Sequence, residues 1–89
     1  MTPKEHDQLV TALAQNDRFI AEQYARVRLL TASMLRLQRF RQTGGGNGVE
    51  FANLIDGTAD LLRFERKVLR EKRRIRRLGE DILSGRIPG

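Results

Sequence analysis

Gln42-Thr43-Gly44-Gly45-Gly46-Asn47-Gly48-Val49 is the one stretch of this chain dense in glycine, and its reading decides the fold. Glycine takes positive φ without strain and weakens a helix interior, so a long helix ends here and a turn begins. On both sides apolar residues recur at every seventh position. Leu13, Ile20, Val27 and Met34 precede the break, and Leu54, Leu61, Val68, Ile75 and Ile82 follow it. Seven residues are two helical turns, so each set forms a stripe along one side of a helix. The chain reads as two long amphipathic helices joined by a turn.

Local signals place the helix ends. Thr2 is an N-cap, Pro3 sits at the first helical position where its missing N–H costs nothing, and Glu5 completes a capping box. No proline or glycine follows until Gly44, so the first helix is expected over residues 3–42, about 60 Å long. After a turn at 43–48, Asn47 is expected to cap a second helix over 49–84, with Glu50 as its reciprocal partner. Ser84-Gly85 and then Pro88 form a stop signal, which leaves a short tail at 85–89. Gly57 and Gly79 each cost a helix about 1 kcal/mol against alanine. The heptad runs unbroken across both, so the second helix is expected to continue through them.

The seam of the first helix is widened by Leu9 or Val10, Tyr24, Leu30 and Leu37. The expected seam of the second is Leu54, Leu61, Phe64, Val68, Ile75, Leu78 and Ile82, with a parallel line of Ile55, Leu62, Leu69 and Leu83 one position on. These faces are wider than one partner helix needs. Leu29, Leu35 and Phe40, with Leu62 and Leu69, are the expected contacts to another protomer or a partner helix. Both helices are acidic early (Glu5, Asp7, Asp17, Glu22; Glu50, Asp56, Asp60) and basic late. An antiparallel hairpin brings the acids of each against the bases of the other, and a short connection favours the same arrangement.

The fold class is therefore all-α: one domain, a long antiparallel, coiled-coil-like helical hairpin that self-associates into a bundle or ring. With 89 residues, a single seam and no cysteine, the chain lacks an enclosed core and disulfides, and self-association is the remaining route to stability. The polar start Met1-Thr2-Pro3-Lys4-Glu5 and the absence of a long apolar run point to the cytoplasm.

The net charge is +6 and the basic residues are mostly arginine. Between Arg63 and Arg77 nine basic residues face only Glu65 and Glu71. Such a helix can lay guanidinium groups along a phosphate backbone, whose oxygens the planar arginine fork grips in pairs. The candidate nucleic-acid contacts are Arg66, Lys67, Arg70, Arg73, Arg74, Arg76 and Arg77. DNA and RNA fit equally. Base-specific reading is not expected, because there is no zinc-finger spacing and no zipper length beyond the basic run. Lipid is disfavoured as a partner, since the apolar faces can satisfy each other and tryptophan is absent.

No catalytic or metal constellation appears. His6 is the sole histidine, the carboxylates are scattered, and the glycine turn lacks the lysine and preceding strand of a phosphate-binding loop. The chain is expected to be no enzyme and to hold no cofactor. The competing reading is a protein-interaction module, an assembly adaptor, chaperone or regulator that docks a partner helix on an apolar flank.

In hairpin layout, size and charge the chain resembles two all-helical groups. One is the plasmid-encoded RNA-binding hairpin dimers of the Rop type. The other is the hairpin oligomerisation core of phage small terminase subunits, which assemble rings that recognise viral DNA for packaging. The resemblance implies a phage or mobile-element accessory factor that works as an oligomer on nucleic acid. Small terminases carry a separate DNA-binding helical domain for which 89 residues leave no room, so arginine–phosphate contact is the expected mechanism.

Overall fold

The computed structural model describes residues 1–86 as two α-helices, α1 over Pro3–Gln42 and α2 over Val49–Leu83. They fold back on each other as an antiparallel hairpin, a rod of 62 × 17 × 16 Å. The last three residues of the expected 85–89 tail lie outside the described residues.

The start of α1 follows from its sequence. Thr2 is extended (φ −73°, ψ 158°), its hydroxyl oxygen accepts the Glu5 N–H at 3.2 Å, and Pro3 opens the helix. The Thr2 hydroxyl also donates to the Glu5 carboxylate at 3.0 Å. Both helices end alike, on a glycine in the left-handed region. Gly44 (φ 87°) donates to the Arg41 carbonyl and Gly45 to the Phe40 carbonyl; Gly85 (φ 79°) donates to Ile82 and Arg86 to Asp81. This paired closure satisfies carbonyls that the last turn leaves open.

The start of α2 departs from expectation. Its N-cap is Gly48 (φ 116°, ψ 169°), with no side-chain cap, and Asn47 lies one residue outside the helix. The positive φ at Gly48 turns the chain into the helix one position later than an Asn47 cap requires. Phe40 and Phe51 close the turn, with ring centroids 5.7 Å apart.

The seam is a regular ladder. On α1 it is Leu9, Leu13, Asn16, Ile20, Gln23, Val27, Leu30, Met34 and Leu37, all buried or half-buried at alternating steps of four and three. This is the a/d pattern of a coiled coil. On α2 the buried apolar residues are Ile55, Leu62 and Leu69. That corrects the expected seam. Leu54, Leu61 and Ile75 are about half exposed, and the Ile55–Leu62–Leu69 line, one residue on, has taken their place against α1. One residue is a rotation of 100°. Polar contacts across the seam accompany this rotation. Asn16 Nδ2 donates to the Lys72 carbonyl at 3.2 Å and Gln23 Nε2 to the Glu65 carbonyl at 3.4 Å, while Lys72 Nζ donates to Gln23 Oε1 at 3.3 Å. Gln23 is the most buried of these polar side chains, 2 % exposed.

Gly57 and Gly79 both lie inside α2, as the continuous heptad implies. Their surroundings differ. A Cβ on Gly57 meets nothing within 4 Å, whereas one on Gly79 would run into the Leu13 side chain. Gly57→Ala is expected to raise stability by about 0.5–1 kcal/mol, through helix propensity alone. Gly79→Ala should gain nothing, because displacement of Leu13 offsets the same propensity. Urea titrations of both variants at one protein concentration check the pair; equal gains would mean that Leu13 yields freely.

Candidate nucleic-acid interface

The basic residues of α2 divide into bound and free groups. Arg76 is bound. Its Nε lies 2.5 Å from Asp17 Oδ1 across the seam and its Nη1 lies 2.9 Å from Glu80 Oε1. The hydrogen bond it donates to Asp17, then the charges of Asp17 and Glu80, hold its guanidinium above the ordinary arginine pKa. With Nε and Nη1 held by carboxylates, Arg76 has fewer free N–H groups for a phosphate than the other candidates. It fastens the open end of the hairpin.

Arg63 pairs with Asp60, and Arg74 lies 3.8 Å from Glu71, a long contact. Arg66, Lys67, Arg70, Arg73 and Arg77 have no carboxylate within ion-pair distance among the described residues. Arg66, Arg70, Arg73 and Arg77 follow at steps of four, three and four, which stacks them along one face of α2. The ridge is about 16 Å long. One strand of duplex DNA carries about five phosphates over that axial length. Two shallow grooves lie along it. One is lined by Arg63, Phe64, Arg66, Lys67 and Arg70, the other by Asp17, Ile20, Arg73, Arg76 and Arg77.

Aromatic rings of α1 support two of the cations. The Arg73 guanidinium lies 5.9 Å from the Tyr24 ring centroid, and Lys72 Nζ lies 5.3 Å from that of Phe19. A cation over a ring keeps its charge while its flat approach is fixed. Tyr24, expected as seam, is about half exposed and serves this second purpose; Gln23 beside it is buried instead.

The five expected interface residues separate in the same way. Leu29 and Leu35 are exposed, at 68 % and 58 %. Phe40 is exposed over half its surface and packs on Phe51 at the turn. Leu62 and Leu69 are buried within the hairpin seam and are not available to another chain. The two lines 54–61–68–75 and 55–62–69 are both apolar, and only the rotation of α2 shows which one is spent.

The seam polar residues Asn16 and Gln23 were not anticipated. Their signal is positional, since both fall on the four-and-three ladder that joins Leu9 to Leu37. Elsewhere the chemistry is sparse. His6 is about half exposed, 3.8 Å from Asp7, and no three potential metal ligands cluster among the described residues. No described helix is long and apolar enough to cross a membrane. Comparison with protein-family models, with curated proteins and with solved structures gives no match to this chain.

Proposed function

We propose that the chain is a non-enzymatic, cytoplasmic accessory protein that grips the phosphate backbone of DNA or RNA with the α2 ridge, in the manner of a packaging factor. The supporting observation is the row Arg66, Arg70, Arg73 and Arg77, free of carboxylate partners among the described residues while Arg76 beside it is held by Asp17 and Glu80. Unpaired guanidinium groups in line release counterions when they meet phosphates, which gives affinity without base recognition. Fluorescence anisotropy of a labelled duplex and a labelled RNA hairpin across a salt series tests it. Binding should weaken steeply as salt rises, with little dependence on sequence. Absence of binding at low salt rules the reading out.

A second reading rests on Leu29 and Leu35, two leucines exposed on α1 away from the seam. They would suit a docking module for a partner helix. Joint alanine substitution separates the two, since it leaves phosphate binding intact.

A further inference from the structure

The seam uses chiefly one of the two apolar lines on α2; of the second line only Val68 and Ile82 are half-buried. That second line, Leu54–Leu61–Val68–Ile75–Ile82, runs beside the first for about 42 Å. Phe64 and Leu78 fall three positions after Leu61 and Ile75 and widen it in the same a/d spacing. Its five large exposed members keep between 45 and 60 % of their surface in solvent. The stripe lies on one flank of the rod, where Leu54 borders a groove with Ser33, Leu37 and Phe40 of α1. The row Arg66, Arg70, Arg73 and Arg77 occupies other positions of α2, and the two surfaces adjoin at Phe64 and Lys67.

We infer that this stripe is the interface with a second copy of the chain, packed antiparallel about a two-fold axis near Val68 and Glu71. Three observations select that occupant. The first is extent. At roughly 200 Å² for a large apolar side chain in full exposure, the stripe offers about 500 Å² of apolar surface. With its charged margins this approaches the roughly 800 Å² that each partner contributes to a stable interface.

The second is period. A straight stripe of heptads needs a partner helix of equal length and equal repeat, and α2 of another copy is one. The third is the pattern of gaps. Two positions of the stripe are not apolar: Gly57 and Glu71. A parallel pair would set Gly57 against Gly57 and Glu71 against Glu71, leaving a hole and a buried pair of like charges. An antiparallel pair sets Gly57 against Ile82, Leu61 against Leu78 and Phe64 against Ile75, and sets each Glu71 against Val68 of the other copy instead of against Glu71. It also opposes the helix dipoles.

Like charges do meet at one edge, where Lys67 of each copy approaches Arg74 of the other. Screening them makes association strengthen as salt rises. Nucleic-acid binding has the opposite salt dependence, so the two properties are measured independently, and a monomer that still bound DNA would leave the preceding proposal standing.

Sedimentation equilibrium of the full chain over a salt series tests the interface. The expected mass is twice 10.2 kDa, with tighter association at higher salt. Phe64→Ser with Leu61→Ser should give a monomer at the salt and concentration where the wild-type chain is a dimer. Orientation is read by disulfide capture, which the cysteine-free chain permits. A Leu61→Cys, Leu78→Cys double variant cannot bridge within one helix, because 17 residues separate the two sulfurs by about 25 Å. Mild oxidation should link it between chains and leave each single variant unlinked. A wild-type monomer throughout, co-sedimentation of that monomer with phosphatidylserine vesicles, or efficient linking of Leu61→Cys alone would each overturn the proposal.

Discussion

Exchange of Arg66, Arg70, Arg73 and Arg77 for glutamine is expected to weaken nucleic-acid binding at least about 100-fold near 0.1 M salt. The slope of log affinity against log salt should fall by about 3.5, from four lost phosphate contacts at about 0.9 each on duplex DNA. Glutamine keeps length and helix propensity, so the fold is spared. The informative control is Arg76→Gln. That side chain already spends its charge on Asp17 and Glu80, so the salt slope should stay within about one contact of wild type. Equal losses from the quadruple variant and from Arg76→Gln would mean that general charge, and not the ridge, governs binding.

The second large effect concerns the seam. Leu62→Ala is expected to lower the unfolding free energy by about 3 kcal/mol. Leu62 is one of only three buried apolar side chains among the described residues, and the antiparallel register sets it level with Val27 and Leu30. A rod with one seam has no second layer around the lost methyl groups, so solvent reaches part of the site and the loss lies in the lower part of the leucine-to-alanine range. Leu54→Ala, the neighbouring apolar line near the turn, should cost much less in the isolated hairpin. Urea denaturation followed by circular dichroism, at one dilute protein concentration, separates the two. Similar losses at both positions would show that α2 is rotated from the placement described here.

What could be read in the sequence was local. The Thr2–Pro3 start, the glycine closures after Gln42 and Leu83 and the continuity of α2 each depend on a few adjacent residues, and each appears in the structure. The Asn47 cap failed within the same range, because the φ of Gly48 decides between two candidate starts one residue apart. What could not be read was rotational. Ile55, Leu62 and Leu69 carry the same periodicity as Leu54, Leu61 and Val68, and hydropathy does not rank them. The choice coincides with contacts 42 to 59 residues apart, those of Gln23 with Glu65 and of Asp17 with Arg76. For the same reason the basic run was visible as composition, while the pairing of Arg76 with Asp17 across the seam was not.

The seam is also uneven along the rod. Ile55, Leu62 and Leu69 lie in the turn-side half and the middle, while beyond Leu69 the contacts are Asn16 on Lys72, Asp17 on Arg76 and the half-buried Leu13 against Gly79. Closure of a six-residue loop carries a small entropic cost, so folding starts beside the glycines and zips outward. Unfolding retraces it, fraying first at the termini, where amide protons exchange fastest. Arg73 and Arg77 stand on the fraying side of Leu69 and Arg66 on the firm side. A polyanion laid along the ridge would bridge that boundary and slow the opening of the half of the rod least able to hold itself shut.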